Sequence, residues 1–286
     1  MLARFPLFRR KLHLIWRALV AAHDDGCFGI AKAAAFSALM SFFPVLTSVT
    51  AILVQANAES VSRVLSQFLF DVVPPGTEEL VEYQFKIRDS QPVYLLLAAT
   101  MLSVWPASGL MDSLMEGFQA AYRARGERHF LKQRGVAILL VFVAALPAIG
   151  ASALVLFGDR TENAVLGWLG MVDPNGQLVG LFKWAGKLVR FGVAMSSVAF
   201  VTSALYYFGP SRPQKWRAVW PGAVMATLFW LLTTLIFAWY VRNLANYNLL
   251  YGSIGGVIAL LVWMYLLAAI VLVGCEYNAE KERMKA

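Results

Sequence analysis

Apolar residues along this chain gather into six runs of roughly the length that crosses a bilayer: Ile30–Gln55, Pro92–Leu110, Gly135–Gly158, Leu188–Phe208, Val219–Val241 and Tyr251–Gly274. A hydrocarbon core about 30 Å thick takes roughly 20 helical residues, and a helix satisfies every backbone donor and acceptor internally. Only Lys32 and Arg190 place a charge inside these runs, each within a turn of an end, where a long side chain reaches the headgroups. Three shorter stretches alternate with helical period instead. In 59–72 the apolar positions are Val61, Val64, Leu65, Phe68, Leu69 and Val72, which predicts an outer interfacial helix. In 111–123, Met111, Leu114, Met115, Phe118 and Tyr122 form one stripe, and Asp112, Glu116, Gln119 and Arg123 the other. That stretch is expected to lie on the inner surface or to extend the second span. The third, 5–20, is basic and inner-facing. Val73-Pro74-Pro75-Gly76 and Asp173-Pro174-Asn175-Gly176 read as breaks in the outer loops.

The predicted fold is therefore all-α: a polytopic membrane protein with six transmembrane helices and amphipathic interfacial helices. The whole chain forms one membrane domain, with a basic amphipathic segment 1–29, a transmembrane region 30–274 and a tail 275–286. Composition agrees, since 59% of residues are hydrophobic, 15% are charged and the mean hydropathy is +0.61, all displaced from soluble-domain values toward lipid. The net charge of +8 would suit a nucleic-acid partner if it formed a patch, but it sorts by side of the membrane instead. With the N-terminus inside, sixteen Lys and Arg fall on inner segments and eight on outer ones, which also carry most of the loop acids. The positive-inside rule then places both termini in the cytoplasm, and no nucleic-acid partner is expected. The N-terminal stretch lacks a continuous apolar core and cleavage site, so the first span is expected to act as its own uncleaved signal. Cys27 and Cys275 sit at inner span ends and imply no disulfide framework.

Candidate chemistry is sparse. In span one, Ala34, Ser37, Ala38, Ser41 and Pro44 share a face; small residues there favour close helix packing, while Ser37, Ser41 and Pro44 also offer a polar path for a substrate. Gly252 and Gly256 give a GxxxG spacing with Gly255 beside it, a packing face for span one or for a second copy of the chain. Arg242, Asn243, Asn246, Tyr247 and Asn248 make the short outer connection before span six unusually polar, and Asn243, Asn246 and Tyr247, with Tyr251 at the opening of that span, are candidate substrate contacts. At the inner end of that span, Glu276 and Asn278 lie near the hydrocarbon boundary, where a lone acid is costly. Arg123, Arg125 and Lys32 are the candidate counterions. His13, His23 and His129 show no metal-ligand spacing, and no nucleotide or nucleophile motif occurs. No metal, cofactor or catalytic residue is expected, and the chain is read as not an enzyme.

Several runs together resemble the YihY/virulence factor BrkB family of bacterial inner-membrane proteins, which older usage calls ribonuclease BN-like. They are Ala33-Ala34-Ala35-Phe36-Ser37-Ala38-Leu39-Met40-Ser41-Phe42-Phe43-Pro44, Ala120-Ala121-Tyr122, Leu205-Tyr206, Trp216-Arg217 and Pro221-Gly222-Ala223, then Asn246-Tyr247, Tyr251 to Ile258, Trp263-Met264-Tyr265 and Gly274-Cys275-Glu276-Tyr277-Asn278. The chain departs from the family pattern at Phe36-Ser37, Gln119 and Cys275. The resemblance implies a six-helix, multi-pass protein of the bacterial inner membrane, with a role in exporting lipid-like or other amphiphilic molecules. Together with the residues, it makes membrane lipids the expected partners and an amphiphile transporter or flippase without its own ATPase the leading reading. The alternatives are an assembly partner in the cell envelope and a small-solute or ion exporter; a nuclease is disfavoured because the acids scatter along loops.

Overall fold

The computed structural model describes residues 5–55, 93–124, 128–168, 180–243 and 254–285. Among these the chain forms seven helices and no strand: α1 (Phe5–Asp24), α2 (Cys27–Gln55), α3 (Val93–Ala121), α4 (Phe130–Trp168), α5 (Gly180–Phe208), α6 (Trp216–Asn243) and α7 (Ile254–Arg283). Five helical segments are long and apolar enough to cross a membrane: Cys27–Val49, Phe130–Pro147, Gly186–Phe208, Trp216–Val241 and Ile254–Arg283. The described part of the second predicted span, from Val93 to Leu110, falls within α3. The outer stretch 59–72, both predicted loop breaks and residues Asn246, Tyr247, Tyr251 and Gly252 lie outside the described residues.

From α2 to α7 each helix packs on the next, and α7 closes the ring by returning to α2. It also touches α3 across the interior, and α1 lies against α7 and α2. The α2–α3 contact is the most extensive, because small residues line it: Ala31, Ala34 and Ala35 are buried, and Gly109 faces Ser37. Large apolar side chains point outward instead, among them Met101 (72% exposed), Leu146, Leu228 and Trp239. A soluble surface does not carry such a continuous apolar belt; a bilayer accommodates it.

The helices overrun the predicted spans because nothing in the sequence stops them at the lipid boundary. The 111–123 stretch is not a separate surface helix: α3 runs unbroken to Ala121, burying Met111, Leu114, Met115, Phe118 and Tyr122. It ends with Ala124 N–H on Gln119 O at 3.0 Å and Arg123 N–H on Ala120 O at 2.9 Å, which leaves Arg123 left-handed at φ 48°. Likewise α4 continues through residues 159–168, which were expected in an outer loop. The expected tail at 275 is helical to Arg283, so Glu276, Asn278 and Glu280 ride on the last turns of α7. Between α1 and α2 the chain turns at Gly26, whose φ of 73° would strain any side chain.

Candidate functional site

Because the helices alternate in direction, the start of α2, the ends of α3 and α5, the start of α6 and the end of α7 meet at one end of the bundle, here called the terminal end. Two acidic side chains are buried there and met by partly exposed basic ones, some from helices distant in sequence. Glu276 is fully buried, although it carries a carboxyl group. Its Oε1 accepts the Cys27 thiol at 3.8 Å, and its Oε2 faces Arg283 at 3.9 Å without a hydrogen bond. One turn on, buried Glu280 joins Arg17 of α1 at 2.8 Å and Arg283 of its own helix. Arg283 also donates to the Ala121 carbonyl at 2.6 Å, so it closes the end of α3. A single guanidinium thus holds two buried acids and a helix terminus, and Arg17 ties α1 to the same group.

This corrects the expected counterion of Glu276. Arg283 supplies it, two turns along the same helix. Arg123 faces Asp25 instead, at 3.9 Å, because the left-handed turn carries it toward the α1–α2 junction. Lys32 is exposed, and Arg125 lies outside the described residues. Arg17, Glu280 and Arg283 were missed. The spacing Glu276, Glu280, Arg283 was a visible signal, since positions i, i+4 and i+7 share a helix face.

The other predicted site residues separate into packing and polar roles. Ser41 is buried and donates to Ala38 O at 2.9 Å, Ser37 packs against Gly109, and Pro44 continues inside α2 with Ser48 bonded to its carbonyl at 2.9 Å. The span-one serine face is thus engaged with α2 itself and with α3. Asn243 is exposed at the end of α6 and donates to Trp239 O at 2.8 Å. In the polar stripe, Asp112 accepts Gln133 at 2.6 Å and lies 4.0 Å from Arg134, which joins α3 to α4. Glu116 is exposed, and Gln119 holds a buried Nε2 with no acceptor. Gly255 and Gly256 are buried.

Among the described glycines, the tightest approach between helices lies elsewhere, at the crossing of α6 and α7. A Cβ built on Gly222 would overlap the Gly274 carbonyl and the Asn278 amide; one on Gly274 would overlap the Tyr206 hydroxyl and the Ala226 side chain. Asn278 bridges the same crossing, accepting Gly222 N–H at 2.7 Å and donating to Val219 O at 2.8 Å. These bonds bracket Pro221, which has no N–H of its own. From α5, Tyr206 donates to Val271 O at 2.6 Å and meets the Phe118 ring edge-on, 5.3 Å between centroids. Leu205-Tyr206, Pro221-Gly222 and Gly274 to Asn278, three separate runs of the sequence, therefore converge on one locus beside the carboxylate cluster.

Comparison with known proteins finds relatives over most of the chain. The family profile described as Virulence factor BrkB matches residues 18–286. The ribonuclease-like protein YfkH of Bacillus subtilis is 31% identical over 255 residues, which is 88% of each chain. A UPF0761 membrane protein of Tolumonas auensis is 24% identical over 86% of this chain and 77% of its own. Another, from Aromatoleum aromaticum, is 26% identical over 88% of this chain and 60% of its own. No solved structure matches.

Proposed function

Since this chain belongs to the virulence factor BrkB family, whose relatives are named as membrane proteins, we propose that it is an inner-membrane transporter of an amphiphilic molecule. In this reading six helices span the bilayer, both termini face the cytoplasm, and the chain carries no catalytic activity or ATPase of its own. The observation that carries it is the fully buried Glu276 at the junction of α1, α2 and α7, with one carboxylate oxygen left without a hydrogen bond. An ionisable group buried where a membrane bundle meets its boundary is costly to keep and by default points to function. Here it lies in a network that ties α1, α2, α3 and α7 together at one end. Breaking and remaking those links would open and close that end. The groove between α4, α5 and α6, with Ser196, Ser197, Phe200 and Trp220 among its lining, offers a lateral surface on which apolar tails can remain in lipid.

The test is leaflet translocation of a fluorescent phospholipid analogue in proteoliposomes. Wild type should exceed protein-free vesicles. Glu276→Gln, which keeps shape and removes charge, should slow translocation by about tenfold or more, the ratio of a barrier change near 1.4 kcal/mol. Equal rates for wild type and empty vesicles, or for wild type and a folded Glu276→Gln protein, would reject the proposal.

A further inference from the structure

The loop 209–215 between α5 and α6 holds an excess of hydrogen-bond donors over acceptors. Arg128 reaches it from the start of α4 and donates through Nη2 to Phe208 O at 3.1 Å and Pro210 O at 2.9 Å. Its Nη1 is buried with no acceptor, and among the described residues no acid lies within ion-pair distance of it. Arg212 stacks on the Tyr122 ring at 4.3 Å and pairs through Nη2 with Glu282 at 2.5 Å, but its Nε is also without a partner. The Ser211 hydroxyl is unsatisfied in the same loop, and the Gln214 amide nitrogen lies near the Tyr122 hydroxyl without full hydrogen-bond geometry. Two guanidiniums, a hydroxyl and an amide thus hold donors to spare, and among the described residues the one carboxylate paired with any of them is Glu282, on Arg212.

Buried donors without acceptors are costly, and partly buried cations more so. Burial alone pulls the Arg128 guanidinium below its ordinary value, with no acid to hold it up. Both guanidiniums remain partly exposed through their other atoms while the unpartnered nitrogens are covered, so an acceptor approaches at the edge of each guanidinium. We propose that the 209–215 loop, with Arg128, Ser211, Arg212 and Gln214, binds the phosphate of an anionic phospholipid. A phosphate brings several strong acceptor oxygens together with the negative charge that this set lacks, and a guanidinium fork fits it in two places.

The surroundings favour lipid as the source of that phosphate. Directly beside the loop, Tyr207, Trp216 and Trp220 form a chain of ring contacts, with Tyr207 to Trp216 at 5.3 Å and Trp216 to Trp220 at 6.4 Å. Such rings concentrate at headgroup depth. Phe200 and Trp220 continue from this cluster into the groove between α4, α5 and α6, which is open to the side and mostly apolar. A phosphate at the loop would leave an acyl chain beside that groove. The site holds whether or not the chain moves what it binds.

The experiment uses the full chain in nanodiscs of phosphatidylcholine doped with phosphatidylglycerol, with retained lipid read by native mass spectrometry. A second arm adds millimolar inorganic phosphate and reads both the thermal midpoint and the retained lipid. Wild type should retain phosphatidylglycerol well above its share. Arg128→Gln should lower that retention about tenfold, as expected for one charge-assisted contact. Ser211→Ala should lower it less while leaving the helices untouched, and Lys132→Gln, an exposed charge outside the loop, should not lower it. A phosphate-induced rise in the midpoint that Arg128→Gln abolishes, with no lipid excess in wild type, would overturn the lipid assignment and give the site to free phosphate. No lipid excess and no phosphate effect in wild type would overturn the proposal, as would Arg128→Gln and Ser211→Ala both behaving like Lys132→Gln.

Discussion

Replacing Gly222 or Gly274 with alanine is expected to destabilise the bundle more than adding a methyl group at the other described helical glycines. At both positions the new Cβ would meet backbone or a fixed side chain: the Gly274 carbonyl and the Asn278 amide for Gly222, the Tyr206 hydroxyl and Ala226 for Gly274. None of these can yield alone. The Gly274 carbonyl belongs to the middle of α7, Asn278 holds two backbone bonds to α6, and Tyr206 is tied to Val271. Relief therefore requires α6 and α7 to separate, which breaks the Asn278 bridge as well. Helices in lipid associate through packing and hydrogen bonds with no hydrophobic drive behind them, so a crossing this close is hard to replace. The cost should reach the upper part of the ~1–3 kcal/mol found for overpacking. Gly135 is the control, since nothing lies within 4 Å of its would-be Cβ. Thermal unfolding in detergent, followed by size-exclusion profile, would compare the three variants. A Gly222→Ala midpoint equal to that of Gly135→Ala would mean that the two helices do not meet there.

The apolar runs made the helices legible because bilayer thickness sets a minimum length and backbone satisfaction demands a helix. Their ends were not legible. A helix can continue into water without cost from lipid, so α3 passes Leu110 and α7 passes Gly274, and Glu276, Glu280 and Arg283 of the cluster and Asn278 of the crossing lie on the α7 extension. The GxxxG spacing drew attention to Gly252 and Gly256, whereas the closest described approach pairs Gly222 with Gly274, one glycine from each of two helices. Spacing within one helix cannot reveal such a pair. The span-one serines illustrate a different ambiguity. A helical serine either bonds back to its own helix or presents its hydroxyl to a partner, and the sequence reads the same in both cases. Ser41 takes the first course. For Glu276 the sequence showed the burial problem but not its solution, because Arg283 could be found by helical period while Cys27 and Arg17 come from other helices.

Arg283→Met is expected to be the most damaging single change in the carboxylate cluster, and its signature is rescue by removing an acid. Arg283 faces Glu276 and Glu280 and donates to Ala121 O, whereas Arg17, 45% exposed, touches Glu280 alone. Without Arg283, Glu280 keeps Arg17 as a counterion, but the fully buried Glu276 is left with the Cys27 thiol and the like-charged Asp25 carboxyl, and the α3 terminus loses a donor. Removing one partner of a buried pair costs ~3–5 kcal/mol, chiefly because it strands the remaining charge. Arg283 is itself 28% exposed, so water offsets part of that and the loss should fall at the lower end. Glu276→Gln in the Arg283→Met background removes the stranded charge and should recover most of it. In a wild-type background the same change removes a charge that Arg283 still faces. The two substitutions are therefore strongly non-additive, which a double-mutant cycle on the unfolding free energy measures directly. Were the double variant no more stable than Arg283→Met alone, the damage would come from lost packing and the Ala121 cap. Glu276 would then owe nothing to Arg283.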